Sequence, residues 1–136
     1  MKKIMHIEDN SGWQMRVSEA LAPIHGLDLV QFVSSREFMD EIYKGKPVAD
    51  LYILDRHICE TPKDYGPNDT SWKTVLNVIS SLRAKDERRI IMLSNHVPKD
   101  IARYPGVIAG FPKQSFNPEY FRDYVRHCLG LNGGSE

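Results

Sequence analysis

The stretch Ala49-Asp50-Leu51-Tyr52-Ile53-Leu54-Asp55 is an apolar run that ends on a carboxylate. Two further runs share its form. Ile4-Met5-His6-Ile7 ends on the acidic pair Glu8-Asp9, and Arg89-Ile90-Ile91-Met92-Leu93 ends on the hydroxyl of Ser94. A strand buried on both faces of a parallel sheet reads as a continuous apolar run rather than an alternating one. In an open α/β sheet the ligand crevice lies beyond the carboxyl ends of such strands. Three polar ends on one edge therefore outline an anionic, oxygen-rich cleft suited to a hard cation.

Outward from these runs, strands and helices alternate. The spacing predicts strands over 4–7, 27–33, 49–54, 89–93 and 107–111. A helix over 11–22 carries Met15, Val17, Leu21 and Ala22 at helical spacing and stops at Pro23 and Gly26. Ser34 and Glu37 form a capping box for a second helix that buries Phe38, Met39, Ile42 and Tyr43. A third helix over 72–85 presents Val75, Leu76, Ile79 and Leu82 on one face, and 98–104 has room for one short helix. Asn117-Pro118, a cap followed by a first-turn proline, opens a last helix that runs to 129. Between the third strand and the third helix, residues 56–71 show no period. So long a loop in a compact domain is usually functional or mobile.

Five βα units predict a doubly wound α/β fold: a five-stranded parallel sheet with helices on both faces. The expected strand order, 2-1-3-4-5, sets Glu8-Asp9 and Asp55 side by side at the switch point. The 136 residues make one domain, 1–130, with 131–136 as a disordered tail. Eighteen basic residues balance eighteen acidic ones, so no global field favours nucleic acid or a membrane surface. No apolar stretch approaches the roughly 18 residues needed to span a bilayer. Cys59 and Cys128 lack metal-ligand spacing and read as free thiols of a cytoplasmic protein.

An acidic pair, a lone Asp, a Ser and a Lys, each closing successive strands of such a sheet, resemble the receiver domain of two-component response regulators. Ile7-Glu8-Asp9-Asn10 is similar to the family's acidic pocket. Asp55 falls at the phosphoacceptor position, Ser94 at the switch hydroxyl and Lys113 at the lysine after the fifth strand. The resemblance implies a Mg²⁺ held by Asp9, Asp55 and the backbone carbonyl of His57, with Glu8 acting through a metal-bound water. It assigns phosphoryl contacts to Ser94 and Lys113, and places Arg56, Asn95 and His96 at the pocket's flank. Elementary chemistry agrees, since an aspartate attacking a phosphoryl group meets like-charge repulsion that a divalent cation relieves.

Three features depart from that pattern. The family's Met-Pro and Asp-Gly signals after the phosphoacceptor are displaced, with Ile58 near the first and Pro62 and Gly66 late, in the 56–71 loop. That loop is a pocket cover, a partner site or a tolerated insertion. Lys113 precedes Gln114 instead of a proline, and the stretch Gly110-Phe111-Pro112-Lys113-Gln114-Ser115 is similar to a form found in helix-turn-helix regulators, less one residue. The family's rotating aromatic, three places before the lysine, is Gly110 here. Phe111 pairs with Ser94 as the switch only if the strand is bulged, and otherwise is a core aromatic. Finally, the short 95–106 segment stunts the fourth helix.

The resemblance implies a stand-alone receiver, not an enzyme, phosphorylated on Asp55 by a histidine kinase or phosphotransfer protein. As a monomer or weak homodimer it signals to a downstream protein without contacting nucleic acid or membrane. Tyr104, Phe116 and Tyr120 are candidates for the signalling surface. A pseudo-receiver that binds partners without being phosphorylated is the alternative. A phosphatase with an aspartyl nucleophile fits less well, because His57 stands where such an enzyme carries its second carboxylate. A zinc site built from His57, Cys59 and His96 has no ligand spacing behind it.

Overall fold

A computed structural model describes residues 1–45, 49–55, 71–82 and 89–131. The expected loop, apart from its last residue, and the end of the tail, 132–136, lie outside them. Five strands appear: β1 (Lys2–Ile7), β2 (Leu27–Phe32), β3 (Leu51–Leu54), β4 (Ile90–Ser94) and β5 (Val107–Pro112). The helices are α1 (Ser11–Leu21), α2 (Ser35–Tyr43), α3 (Ser71–Leu82) and α4 (Pro118–Cys128), with tight 3-10 turns at Ile101–Arg103 and Lys113–Ser115. All strand pairs are parallel and the order is β2-β1-β3-β4-β5. This is the doubly wound sheet that the apolar runs predict.

The three central runs are buried along both faces, which is why they carry no polar alternation. Ile4, Ile53, Ile91 and Leu93 pack with Val17 and Leu21 of α1 and Phe121 and Val125 of α4. Met5, Ile7, Tyr52, Leu54, Ile90 and Met92 pack with Phe38 of α2 and Val75, Leu76 and Ile79 of α3. Each fully buried aliphatic side chain contributes about 1.5–3 kcal/mol relative to leaving it in water. Among the described residues no helix is long and apolar enough to cross a membrane.

Side-chain caps set the helix starts. Asn10 accepts the Trp13 N–H at 3.0 Å, Ser34 the Glu37 N–H at 3.1 Å, and Asn117 the Tyr120 N–H at 3.0 Å. The expected burial of Tyr43 is corrected, and of the apolar residues at helical spacing in the first helix Met15 and Ala22 are exposed. Met15 of α1 is 63% exposed and Tyr43 of α2 is 80% exposed. Met15 lies about 200° around α1 from the buried Val17, and Tyr43 lies on the last turn of α2. The expected short helix over 98–104 is only the 3-10 turn Ile101–Arg103, because Pro98 and Pro105-Gly106 leave no length for an α-helix.

Strand β5 is bulged. Ile90 pairs with Val107 but Ile91 pairs with Ala109, leaving Ile108 as the extra residue. The bulge fixes which residues of β5 face which layer. Gly110, opposite Met92, turns toward the 95–104 segment; a Cβ on it would lie 2.4 Å from Val97 Cγ1 and 3.3 Å from Ile101 Cγ2. Phe111, opposite Leu93, turns to the other face and packs edge-on against Phe121 and Tyr124.

Candidate metal and phosphoryl site

The sheet delivers the site through its main chain. Glu8 N–H donates to Phe32 O at 2.9 Å and Asp55 N–H to Ile7 O at 3.3 Å, so the ladders continue one residue past β1 and β3. Parallel pairing of these two strands, Ile7 opposite Leu54, brings Glu8 and Asp55 to the same end of the sheet. One carboxylate oxygen from each of Glu8, Asp9 and Asp55 lies within 4.8 Å of the others. Glu8 and Asp55 are buried and Asp9 is half-buried. Three hard oxygen donors, one open to solvent, form a set that could hold Mg²⁺.

Lys113 enters from the 3-10 turn after β5. Its Nζ lies 2.7 Å from Asp55 Oδ2 and 2.7 Å from Glu8 Oε1, all three side chains being almost fully buried. Burial, then the nearby Asp55 charge, push the Glu8 carboxyl up to about 8 against the opposing pull of Lys113. Burial works against the Lys113 ammonium, but the Asp55 and Glu8 charges outweigh it and raise its pKa. One ammonium neutralises one carboxylate in a dry pocket. Lys113 hydrogen-bonds to Asp55, while burial, the Asp55 charge and a hydrogen bond with Asp9 all favour the protonated form of Glu8.

Behind the carboxylates lies a polar layer that the apolar reading of β1 missed. His6 is buried and its Nδ1 lies 3.1 Å from Gln31 Nε2. Gln31 Nε2 also donates to Gln14 O at 2.8 Å, and Gln14 Nε2 donates to Glu8 O at 2.9 Å. With Gln31 donating, Nδ1 is the acceptor and the ring is neutral. Burial and then the Lys113 charge depress His6 to about 3. Nothing in a lone polar residue inside an apolar run signals this; the cue was the glutamine on each neighbouring element.

Ser94 is fully buried at the end of β4, and its hydroxyl accepts the His96 N–H at 3.3 Å. Asn95 and His96 are exposed, and the Asn95 carbonyl accepts from Gln114 Nε2 at 2.8 Å, tying the β4 end to the Lys113 turn. Arg56 and His57 lie outside the described residues, as does Cys59. The pairing of Phe111 with Ser94 is corrected. The strand is bulged, but the bulge carries Phe111 to the α1/α4 face, while Ser94, two residues beyond Met92, belongs to the other. Of the candidate signalling aromatics, Tyr104 packs on Trp72 at 5.3 Å, Phe116 is half-buried and Tyr120 is 62% exposed.

Trp13 closes the site from α1. Its ring centroid is 5.0 Å from Lys113 Nζ, 4.2 Å from the Arg16 guanidinium carbon and 5.3 Å from the Phe116 ring.

Solved structures share this architecture. A response regulator from Thermotoga maritima matches with a TM-score of 0.71 at 15% identity, over 96% of this chain and 98% of that one. A response regulator receiver domain protein from Methanospirillum hungatei matches with a TM-score of 0.72 at 16% identity, over 96% and 94%. A second Thermotoga maritima response regulator, in complex with Mg(2+)-BeF, matches with a TM-score of 0.69 at 20% identity, over 95% and 100%. No protein-family profile and no curated protein matches the sequence. The fold is that of response-regulator receiver domains.

Proposed function

We propose that this chain is a two-component receiver whose Asp55 accepts a phosphoryl group in a Mg²⁺-dependent reaction. The observation that carries the reading is the meeting of Glu8, Asp9 and Asp55 oxygens within 4.8 Å, with Lys113 Nζ 2.7 Å from Asp55. Asp9 and Asp55 would hold the metal, which supplies the positive charge that lets one anion approach another. An Asp55 carboxylate oxygen forms the new bond to phosphorus, and the bond from phosphorus to the donor breaks with its electron pair leaving on the donor. Lys113 contributes a fixed ammonium and Ser94 a hydroxyl donor to the phosphoryl oxygens. The Mg(2+)-BeF complex of a protein with the same fold supports this assignment.

The chain modifies its own aspartate rather than turning over an external substrate. Its donor would be a histidine kinase or phosphotransfer protein in the cytoplasm, and its output a protein contact, because roughly two added negative charges bias a nearby packed element. Acetyl phosphate with Mg²⁺ tests the reading. Intact mass should rise by one phosphoryl group in the wild type and not in Asp55→Asn. A wild type that gains no mass and shows no response to Mg²⁺ with beryllofluoride overturns it. Val97 filling the space beside Gly110 favours the second reading, a pseudo-receiver that binds partners unphosphorylated, and the same experiment decides between them.

A further inference from the structure

Lys113 has a long, flexible side chain and three N–H bonds to place. Asp55 Oδ2 accepts one at 2.7 Å, and Glu8 Oε1 lies 2.7 Å from the same nitrogen as an ion-pair contact. An indole ring lies within cation–π reach of the same nitrogen, 5.0 Å from its centroid. That ring is itself held. Phe116 meets it edge-on at 5.3 Å and Arg16 stacks on it at 4.2 Å, while the backbone N–H of Trp13, bonded to the Asn10 cap, fixes the residue in the first turn of α1. Phe116 in turn packs on Phe121 of the core at 5.3 Å. The first turn of α1 is thereby braced against the Lys113 turn through one aromatic side chain.

We propose that Trp13 is a positioning residue for Lys113: its π face holds the ammonium over the carboxylates and keeps water from it, so that the charge is already in place when a phosphoryl group arrives. The role rests on the phosphoacceptor reading and adds to it a residue outside the acidic pocket. Electrostatic groups act most strongly when they need no rearrangement at the moment of reaction and stand out of water. The wall must be aromatic, because an aliphatic side chain of similar bulk excludes water but offers no negative face to a cation.

The full chain carrying Trp13→Leu is compared with Trp13→Phe and the wild type. Two quantities are read: the initial rate of phosphoryl gain from acetyl phosphate with Mg²⁺, and the NMR shift of the Lys113 ε-methylene protons. Trp13→Leu should slow phosphoryl gain about tenfold, the equivalent of about 1.4 kcal/mol. It should also abolish the upfield ring-current shift at Lys113. Trp13→Phe should stay within about threefold of the wild-type rate and keep part of that shift. Trp13→Met takes the place of Trp13→Leu should the latter fail to fold. If the wild type gains the phosphoryl group while the leucine and phenylalanine variants match in rate and in Lys113 shift, Trp13 is only apolar filling and its role is overturned alone. If the wild type gains none, the phosphoacceptor reading falls and this role falls with it.

Discussion

Glu8 and His6 sit two residues apart on one buried strand end, and their titrations pull stability in opposite directions. Glu8 moves from 4.5 to about 8 on folding, so between those values the folded protein binds more protons than the unfolded one and stability falls as pH rises. His6 moves from 6.5 to about 3, so between those values the unfolded protein binds more protons and stability falls as pH falls. In the overlap, from 4.5 to 6.5, the two slopes oppose each other. In a chelator, the melting temperature should be nearly level across that overlap, drop below it and drop again between 6.5 and 8. Glu8→Gln should remove the alkaline drop, and His6→Gln the acid one. A melting profile unchanged by either substitution would refute the charge assignment. Lys113 is tied to both. Lys113→Met strands buried Asp55 without its cation and should cost about 3–5 kcal/mol by urea unfolding in chelator. The same change should tighten Mg²⁺ binding severalfold by titration calorimetry, since an ammonium no longer shares the carboxylates.

Element β5 shows how one extra residue redistributes function. The bulge at Ile108 turns Gly110 toward Val97 and Ile101 and hands Phe111 to the α4 aromatics. Gly110→Ala should destabilise the fold by about 1–3 kcal/mol by denaturant unfolding, because its Cβ would stand 2.4 Å from Val97 Cγ1. Val97→Ala in the same chain should recover most of the loss, so the double variant should be more stable than the sum of the singles. Additive losses would mean that Val97 does not fill that space. A glycine three places before a lysine is visible in the sequence, but the valine that occupies its space is not, since the contact depends on a bulge with no residue signature. Capping was more readable. Asn117-Pro118 and Ser34 announce their helices through their own chemistry, whereas Asn10 is hidden beside an acidic pair that draws the reading toward metal binding.

Across the whole molecule, topology brings the ends of β1, β3 and β4 to one edge of the sheet, where Glu8, Asp9 and Asp55 meet and Ser94 closes β4. Asp55, Ser94 and Glu8-Asp9 were legible because a buried parallel strand must be apolar until it ends, and its first polar residue marks the edge. What joins them was not legible: the Lys113 bridge to both Glu8 and Asp55, the Trp13 wall and the His6–Gln31–Gln14 layer are contacts between elements far apart in sequence. The same long-range wiring predicts that a ligand at the site stabilises the entire domain. Mg²⁺ at a hundredfold its dissociation constant adds about 2.7 kcal/mol if it binds only the folded chain. For a domain of this size that raises the melting temperature by about 10 °C. Two tryptophans read the two faces separately. Trp13 stands at the pocket, and Trp72 lies in the α2/α3 core against Tyr104. Melting followed through Trp13 in a Trp72→Phe chain, and through Trp72 in a Trp13→Phe chain, should show the same Mg²⁺-induced rise. Asp9→Asn and Asp55→Asn should abolish it in both. A rise reported by Trp13 alone would mean that the metal orders only the strand ends and that the sheet does not transmit its binding to the far face.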